Sequence, residues 1–422
     1  MKLAKKYLPL TLITLFALIL RLWNLNKPKG YIFDELYYAK NANSLITHGV
    51  ELNESGQGEF VVHPPLGKWL IGIGIKAFGN NEFGWRISSA LIGTSCIVIM
   101  FLITQKLFNS IYLSHIAALL MAVDGLTLVM SRVALLDIFL LFFILLTFYF
   151  YLLNNYWLVG IFLGAATSVK WSGAYLIPLF LLLSVNLLRS KLLSDFVQRI
   201  AQIVLIPTLV YLFTWSGWFI NNSGWGRDWA KSQSDSLMPD IARSFWNYHG
   251  EILNFHSGLN ESHSYDANPW SWLILGRPTS FFYESPKNCG SSNCSQEVLA
   301  IGTPLLWWAG AIAIAVLVGF WIKQRDQISN FIVGGLAVTY LPWFLIQSRT
   351  MFYFYAVVIT PFLILALIYL LQRYLTAGYA SLWINLFLVA VFLNFIFFLP
   401  VLIGSEISYS QWMLRMWLPS WI

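Results

Sequence analysis

The most prominent feature of this sequence is a succession of long apolar stretches separated by short polar connections. A helix needs about 20 predominantly apolar residues to cross a bilayer. Eleven stretches approach that length, at approximately 8–25, 86–107, 113–131, 133–153, 156–170, 173–188, 200–220, 303–322, 329–346, 352–371 and 381–403. The pattern predicts an all-α, polytopic membrane helix bundle of about eleven spans. Because the fourth to sixth stretches abut closely, one of them is alternatively a re-entrant segment.

The two long connections, at about 26–85 and 221–302, are expected on the same side of the membrane. Basic residues in short loops collect on the cytoplasmic face. A cytoplasmic N-terminus makes every cytoplasmic loop basic except the one at Asn154, and it places both long connections outside. The residues that set this orientation are Lys2, Lys5, Lys6, Lys106, Arg189, Lys191, Arg199, Lys323, Arg325 and Arg373. We therefore expect a multi-pass protein of the cell (inner) membrane with two large extracytoplasmic loops.

This topology divides the chain into three expected regions. They are an N-terminal catalytic membrane module at 1–220, an extracytoplasmic loop at 221–302 and a C-terminal membrane module with an outer tail at 303–422. Within the first outer loop, residues 66–78 are too short to span and carry two lysines, so they predict a helix lying in the outer interface. The basic and apolar start of the chain also fits a removed signal peptide, but it lacks a small-x-small cleavage site, which favours an uncleaved first span.

The composition supports this interpretation. Hydrophobic residues make up 58% of the 422 residues, and charged residues only 11%. A soluble chain carries about 25% charged residues, so lipid must solvate much of this surface. The net charge is +7, but no long basic run occurs, which argues against a nucleic-acid partner.

Asp34 and Glu35 are the most informative polar residues, because they follow the first span closely on the expected outer side. Two adjacent carboxylates repel each other, so packing should raise at least one pKa. A carboxylate of that kind suits a general base acting on a hydroxyl. The alternative is a solvated loop pair, which the surrounding Phe33, Tyr37 and Tyr38 disfavour.

A second group of candidates, His63 and Lys68, lies in VVHPPLGKWL. The two prolines fix an extended backbone before a helix begins and bring these side chains together near the headgroup level. The Gly67-Lys68 pair resembles the end of a P-loop, but Val62 stands where that motif needs glycine. Alternatively, Lys68 only extends toward lipid phosphates and His63 only supports its turn.

Four further charged residues lie near outer helix ends: Arg86, Arg132, Asp137 and Lys170. Buried charge in a membrane bundle suggests function, and a guanidinium matches the oxygens of a lipid phosphate. Arg132 and Asp137 are five residues apart, so each is expected to have a partner on another helix. The alternative for these residues is a structural ion pair.

The second outer loop contains His249, His256 and His263 at intervals of seven residues. Three histidines can bind zinc, but Gly250, Gly258 and Asn260 disfavour one continuous helix, so no metal site is assigned. The aromatic and amide side chains of this loop are better suited to binding a sugar or a peptide.

Cys289 and Cys294 enclose four turn-forming residues in the same outer loop, and we expect them to form a disulfide. One alternative is a metal half-site, although zinc needs two further ligands and the loop has no other cysteine. Two free thiols are the other alternative.

Taken in order, eight segments of the chain resemble the protein O-mannosyltransferase family, and in particular its bacterial branch, which uses polyprenyl-phosphate mannose. The resemblance covers nearly the whole chain. The segments are FDELYYAKNA, HPPLGKWLIG, WRISSALIG, SRVALLDIFLLFF, VKWSGAYL, FHSGLNESHSYDANPWSWLILGRP, RTMFYFY and MLRMWLPSWI.

This resemblance implies a GT-C glycosyltransferase that moves mannose, with inversion, from a lipid phosphate to Ser or Thr of secreted or membrane proteins. It implies that Asp34 is the catalytic base, that Glu35 helps to place the acceptor and that Arg86 binds the donor phosphate. It also places further residues around the donor (His63, Lys68, Arg132, Asp137 and Lys170) and others near the acceptor (His256 and His263). Eukaryotic members insert a MIR domain in the second outer loop, and the loop at 221–302 has no such insertion.

The expected partners are the donor lipid, the acceptor protein and membrane lipid. No cofactor is expected to be required, because no metal-binding Asp-x-Asp motif occurs and a basic side chain can stabilise the donor phosphate in place of a metal. Dependence on a divalent metal is left open. Two alternatives remain. One is a GT-C enzyme acting on a lipid or polysaccharide, such as the aminoarabinose transferases. The other is a transporter, whose repeated halves and broken midplane helices contrast with the one-sided charges seen here.

Overall fold

A computed structural model describes residues 2–185, 193–287, 289–374 and 380–422. Arg189 and Lys191, two residues used for the orientation, lie outside these ranges. In the described part, the helices of the first half are α1 Lys2–Leu22, α2 Glu35–His48, α3 Leu66–Phe78, α4 Glu82–Phe108, α5 Ile111–Ala122, α6 Gly125–Met130, α7 Asp137–Leu152, α8 Tyr156–Val169, α9 Ile177–Val185, α10 Leu193–Ile200, α11 Ile206–Thr214 and α12 Ser216–Ile220.

The second half continues with more irregular connections. Its helices are α13 Asp240–Gly258, α14 Pro269–Trp272, α15 Pro304–Gln324, α16 Gln327–Tyr340, α17 Thr360–Tyr374, α18 Ala380–Ile403 and α19 Tyr409–Met413. Short 3₁₀ segments occur at Trp171–Leu176, Trp229–Ser232, Leu341–Leu345, Tyr353–Ile359 and Pro419–Trp421, and a π turn at Ala201–Leu205.

Six helical segments in the described part of the chain are long and apolar enough to cross a membrane. They are Glu82–Phe108, Phe196–Thr214, Pro304–Gln324, Gln327–Leu345, Tyr353–Tyr374 and Ser381–Ile403. Shorter apolar helices coincide with further stretches of the sequence, at Ile111–Ala122, Asp137–Leu152, Tyr156–Val169 and Trp171–Leu183. A largely helical multi-pass architecture is therefore confirmed, while the count of eleven spans stays a prediction.

The stretch expected to form one span at 113–131 is divided into α5 and α6 by Asp124. The buried Asp124 carboxylate caps α6 by accepting from the backbone N–H of Thr127 at 2.8 Å. It also accepts from Nε1 of Trp307 on α15 at 2.7 Å. A buried carboxylate is stable only with such partners, so this break joins the first half of the bundle to the second.

The expectation of an all-α chain is wrong in one detail, because the structure contains a small antiparallel sheet. Strands β1 Thr279–Glu284, β2 Cys294–Ala300 and β3 Glu406–Ser408 pair in the order β1-β2-β3. Strand β2 is buried on both faces near Val298 and Leu299. Such a strand lacks the alternating pattern that identifies half-buried strands in a sequence.

The expected disulfide between Cys289 and Cys294 is present, with a Cα–Cα distance of 5.9 Å. It closes the loop between β1 and β2. Cys96 is a free, buried cysteine.

Replacing Cys289 and Cys294 with alanine should lower thermal stability while leaving the helical bundle intact. Closing a loop of this size restricts the unfolded chain by about 2 kcal/mol. Thermal unfolding in detergent should show a lower Tm for the double variant. Reductant should lower the Tm of the unaltered protein toward the same value and leave the double variant unaffected; a reductant effect on both proteins would contradict the assignment.

Candidate functional site

Asp34 lies at the start of α2, directly after a residue in an unusual conformation. Phe33 has φ of +50°, a left-handed conformation that is costly for a bulky side chain. Its ring stacks on Phe281 of β1 at 4.6 Å and meets Phe352 and Phe354 edge-on at 5.9 and 5.5 Å. These aromatic contacts hold the turn that presents Asp34.

Glu35 is fully buried and makes every hydrogen bond that its two oxygens need. Arg86 of α4 binds it in a bidentate pair, with Nε to Oε1 and Nη2 to Oε2 both at 2.7 Å. The carboxylate also accepts from the backbone N–H groups of Ala134 at 2.9 Å and Ile32 at 3.0 Å. Glu35 therefore connects the loop before α2, helix α4 and the turn between α6 and α7.

The other Arg86 donors are also used inside the protein. They reach the carbonyl oxygens of Leu25, Pro28 and Gly30 at 3.2, 2.9 and 3.2 Å. A guanidinium has five N–H donors, and all five are satisfied here. Arg86 and Glu35 thus form a closed structural unit.

The Asp34 side chain differs from that of Glu35 in its burial and in its hydrogen bonding. It is half-buried, and among the described residues it has no hydrogen-bond partner. Burial raises the pKa of Asp34 to about 6, against the opposing effect of the Lys170 ammonium, and the Asp137 carboxylate adds to the rise. A carboxylate with this pKa is ionised and basic near neutral pH, as a general base requires.

A cavity of about 620 Å³ is lined by Asp137 and Lys170, the two charged residues that act on Asp34, and by an apolar wall. Its polar end is formed by His63, Asp137, Lys170, His256 and Arg349. Leu140 and Ile144 line the cavity on the same face of α7 as Asp137, and Ile144 lies about 10 Å along the helix. Ile177, Pro207 and Val358 also line it. The cavity therefore has the shape and polarity for an amphiphile with a polar head and an apolar tail.

Two cations occur at the polar end, and only Lys170 has an acidic partner. Its ammonium lies 2.9 and 2.8 Å from the two carboxylate oxygens of Asp137. Arg349 has no side-chain hydrogen bond or ion pair to any described residue, and its Nε is buried without a partner. The residues that line the cavity therefore include one cation, Arg349, without an ion-pair partner among the described residues, which suits a monoanion.

The neutral histidines and aromatic residues complete the wall. The rings of His63 and His256 lie 5.3 Å apart. Burial, together with nearby cations, lowers the pKa of His256 to about 4 and that of His63 well below its usual range. The Tyr211 hydroxyl accepts a hydrogen bond from Nε1 of Trp171 and is hydrogen-bonded to Nε2 of His249, both at 2.9 Å. Because His249 belongs to α13, these bonds hold α13 over the cavity.

The structure places several of the expected site residues away from the cavity. Arg86, Lys68 and Arg132 do not line it, and each binds an internal partner. Lys68 is buried in an ion pair with Glu51, and Arg132 donates to the carbonyl oxygens of Leu20 and Arg21 at 2.7 and 3.0 Å. The expectation that Arg132 and Asp137 have separate partners is confirmed. Glu35 is likewise enclosed and not available to an acceptor.

As expected, the three histidines do not share one continuous helix, because α13 ends at Gly258. His249 and His256 both lie on α13, which continues through Gly250. His263 lies beyond that helix, is exposed and accepts from the backbone N–H of Tyr265 at 3.1 Å, so it is not part of the cavity wall. Within the described ranges, no three His, Cys, Asp or Glu side chains are grouped in a way that holds a metal ion.

Sequence reasoning missed Arg349 and Tyr211. Arg349 precedes the aromatic run MFYFY at the edge of an apolar stretch, and an ionisable residue in that position is a signal for function. Tyr211 lies inside an apolar stretch, where no pattern marks it.

Comparison with known proteins gives consistent matches along the chain. Residues 11–219 match the family described as dolichyl-phosphate-mannose-protein mannosyltransferase. Residues 241–421 match the C-terminal four TMM region of protein-O-mannosyltransferase. A polyprenol-phosphate-mannose–protein mannosyltransferase of Mycobacterium tuberculosis is 32% identical over 97% of this chain and 91% of that protein. The enzyme of that name in Corynebacterium glutamicum is 31% identical over 97% and 92%.

Solved structures share the fold at low sequence identity. The yeast (S. cerevisiae) protein O-mannosyltransferase Pmt1-Pmt2 complex bound to the sugar donor matches with a TM-score of 0.82 at 16% identity, over 99% of this chain and 93% of that chain. ArnT from Cupriavidus metallidurans bound to undecaprenyl phosphate matches with a TM-score of 0.59 at 14% identity, over 92% and 70%.

Replacing Glu35 with glutamine should destabilise the protein far more than replacing its neighbour Asp34 with asparagine. The first change leaves Arg86 buried without its counter-charge, which typically costs about 3–5 kcal/mol. The second removes a carboxylate that has no partner. Thermal unfolding and the yield of monodisperse protein in detergent measure the contrast, and equal losses for the two variants would contradict the structural role of Glu35.

Proposed function

This chain belongs to the protein O-mannosyltransferase family and is a glycosyltransferase, and we propose the way its residues carry out the transfer. Mannose moves from polyprenyl-phosphate mannose to Ser or Thr hydroxyls of proteins, with inversion at the anomeric carbon. The observation that carries the proposal is the unbonded Asp34 carboxylate beside a cavity with one uncompensated cation.

In the reaction, Asp34 accepts the proton of the acceptor hydroxyl. The hydroxyl oxygen then forms a bond to the anomeric carbon on the face opposite the phosphate, as inversion requires. The bond between that carbon and the phosphate oxygen breaks, and its electron pair leaves with the polyprenyl phosphate. The leaving group gains one negative charge, which Arg349 and Lys170 stabilise at the polar end of the cavity.

The donor fits the polarity of the cavity. Its phosphodiester carries a single negative charge, which matches the single unpaired cation, Arg349. Its first isoprene units would lie along the apolar wall at Leu140 and Ile144. We assign Glu35 and Arg86 a positioning role, because they are enclosed and hold the turn that carries Asp34.

We also propose that this site opens on the extracytoplasmic side of the cell membrane, with the N-terminus in the cytoplasm. The basic short loops support this orientation. The presence of the disulfide between Cys289 and Cys294 supports it as well, since disulfides persist outside the cytoplasm. The acceptor is then a secreted or membrane protein.

The rate of transfer should depend on the ionisation of Asp34. Because the carboxyl group has a pKa of about 6, it is protonated below that pH and cannot accept a proton. We expect kcat/KM to be level above about pH 7 and to fall tenfold per pH unit below about pH 6, measured with polyprenyl-phosphate mannose and a Ser-containing peptide. Asp34→Asn should lose about 10²–10⁴ in rate at every pH. Recovery of activity after return from pH 5 to neutral pH controls for unfolding, and an Asp34→Asn enzyme within a few-fold of the unaltered one would exclude Asp34 as the base.

Replacing Arg349 should weaken the use of the donor more than the use of the acceptor. Loss of one charge-assisted contact to the phosphate predicts an increase of about 10- to 100-fold in donor KM for Arg349→Ala. Arg349→Lys should recover only part of this loss, since an ammonium lacks the planar fork. The matched control is Arg325→Ala, which changes an exposed arginine that follows α15. A change confined to the peptide KM would assign Arg349 to the acceptor.

A further inference from the structure

Helix α13 carries an exposed stripe on the face that the bundle leaves uncovered. The stripe consists of Trp246, Gly250, Leu253 and Ser257, which share one side of the helix at intervals of three and four residues. Trp246 is 79% exposed and Leu253 is 59% exposed. A Cβ atom added at Gly250 would have no heavy atom of another part of the chain within 4 Å, so Gly250 leaves a shallow groove between the apolar side chains of Trp246 and Leu253.

This stripe continues directly from the cavity. Leu253 and Ser257 line the cavity as well as belonging to the stripe. The next residues around the helix on that side are His249 and His256, which also line the cavity. Trp246 then marks the outer end of the stripe, about 16 Å from Ser257 along the helix axis.

The opposite edge of the stripe is formed by polar side chains. Around the helix in that direction follow Arg243, Asn254, Asn247 and Glu251, of which Asn254 and Glu251 are exposed. A charged carboxylate on an exposed helix face needs solvation. The stripe therefore lies between the mouth of the cavity and an aqueous surface, which is unfavourable for insertion into lipid.

We infer that the stripe binds the acceptor polypeptide on one side of the hydroxyl that is modified. The inference rests on the proposed function, because an acceptor hydroxyl that belongs to a protein enters the cavity together with its flanking chain. An extended chain advances about 3.3 Å per residue, so the stretch of about 16 Å from Ser257, at the cavity wall, to Trp246 corresponds to about five residues. The stripe thus selects an apolar side chain about five or more positions from the Ser or Thr, which docks in the groove beside Trp246.

The test compares a long and a minimal acceptor with the same donor, polyprenyl-phosphate mannose. The long acceptors are peptides with a single Ser and one Phe placed about five to eight residues before or after it, and the minimal acceptor is N-acetylserine amide. The stripe variants are Trp246→Ala, which removes the apolar contact, and Gly250→Phe, whose ring is intended to fill the groove and whose Cβ meets no atom within 4 Å. The matched control is Trp270→Ala, because Trp270 is 63% exposed on α14 and belongs to neither the stripe nor the cavity wall.

We expect both stripe variants to lower kcat/KM for one of the Phe peptides about tenfold, as loss of a tryptophan anchor does at interfaces. Their kcat/KM for N-acetylserine amide should stay within about twofold, and Trp270→Ala should change neither. Equal losses with both kinds of acceptor, or unchanged use of the peptides, would each overturn the inference. Failure of the proposed function would look different, since the unaltered enzyme would then transfer mannose to no acceptor.

Discussion

The buried pair of Glu35 and Arg86 is the interaction on which the geometry of this site depends. Removing two charges from water is expensive, and the pair is stable because nearly all of its polar atoms are satisfied. The bidentate contact at 2.7 Å joins α4 to α2, and the bond from Ala134 adds the turn that leads into α7. Helix α7 in turn begins with Asp137, the partner of Lys170. The position of the polar end of the cavity, which contains Lys170, therefore depends on the buried carboxylate of Glu35.

Two adjacent carboxylates have opposite properties because their surroundings differ. Glu35 accepts four hydrogen bonds and is enclosed, so it fixes structure. Asp34 accepts none among the described residues and is half-buried, so its pKa is raised and its oxygens keep their capacity to accept hydrogen bonds. One residue of separation at a helix start is enough for this division, because successive side chains there point in different directions.

The sequence predicted the membrane bundle, which the structure confirms, together with the outer loops and the role of Asp34, which stay predictions; each depends on local hydropathy or on charge beside apolar residues. The sequence analysis placed Arg86 at the donor phosphate, and Lys68 and Arg132 around the donor, because a sequence does not show whether a hydrogen-bond donor is already used. Each of these residues binds a partner at least 17 positions away, which no local pattern reveals. Arg349 was missed for a related reason: its importance comes from having no acidic partner, and that is a property of the folded chain.

The conformation of Phe33 has a consequence for how this protein can change over evolution. The turn before Asp34 lies in the first family region, whereas the aromatic rings of Phe281, Phe352 and Phe354 that hold it lie in the second. Neither region contains both this turn and the rings that hold it. Recombination between distant relatives at the boundary of the two regions would separate a strained backbone from the rings that compensate for it. The two regions are therefore expected to be inherited together, as a single selectable unit.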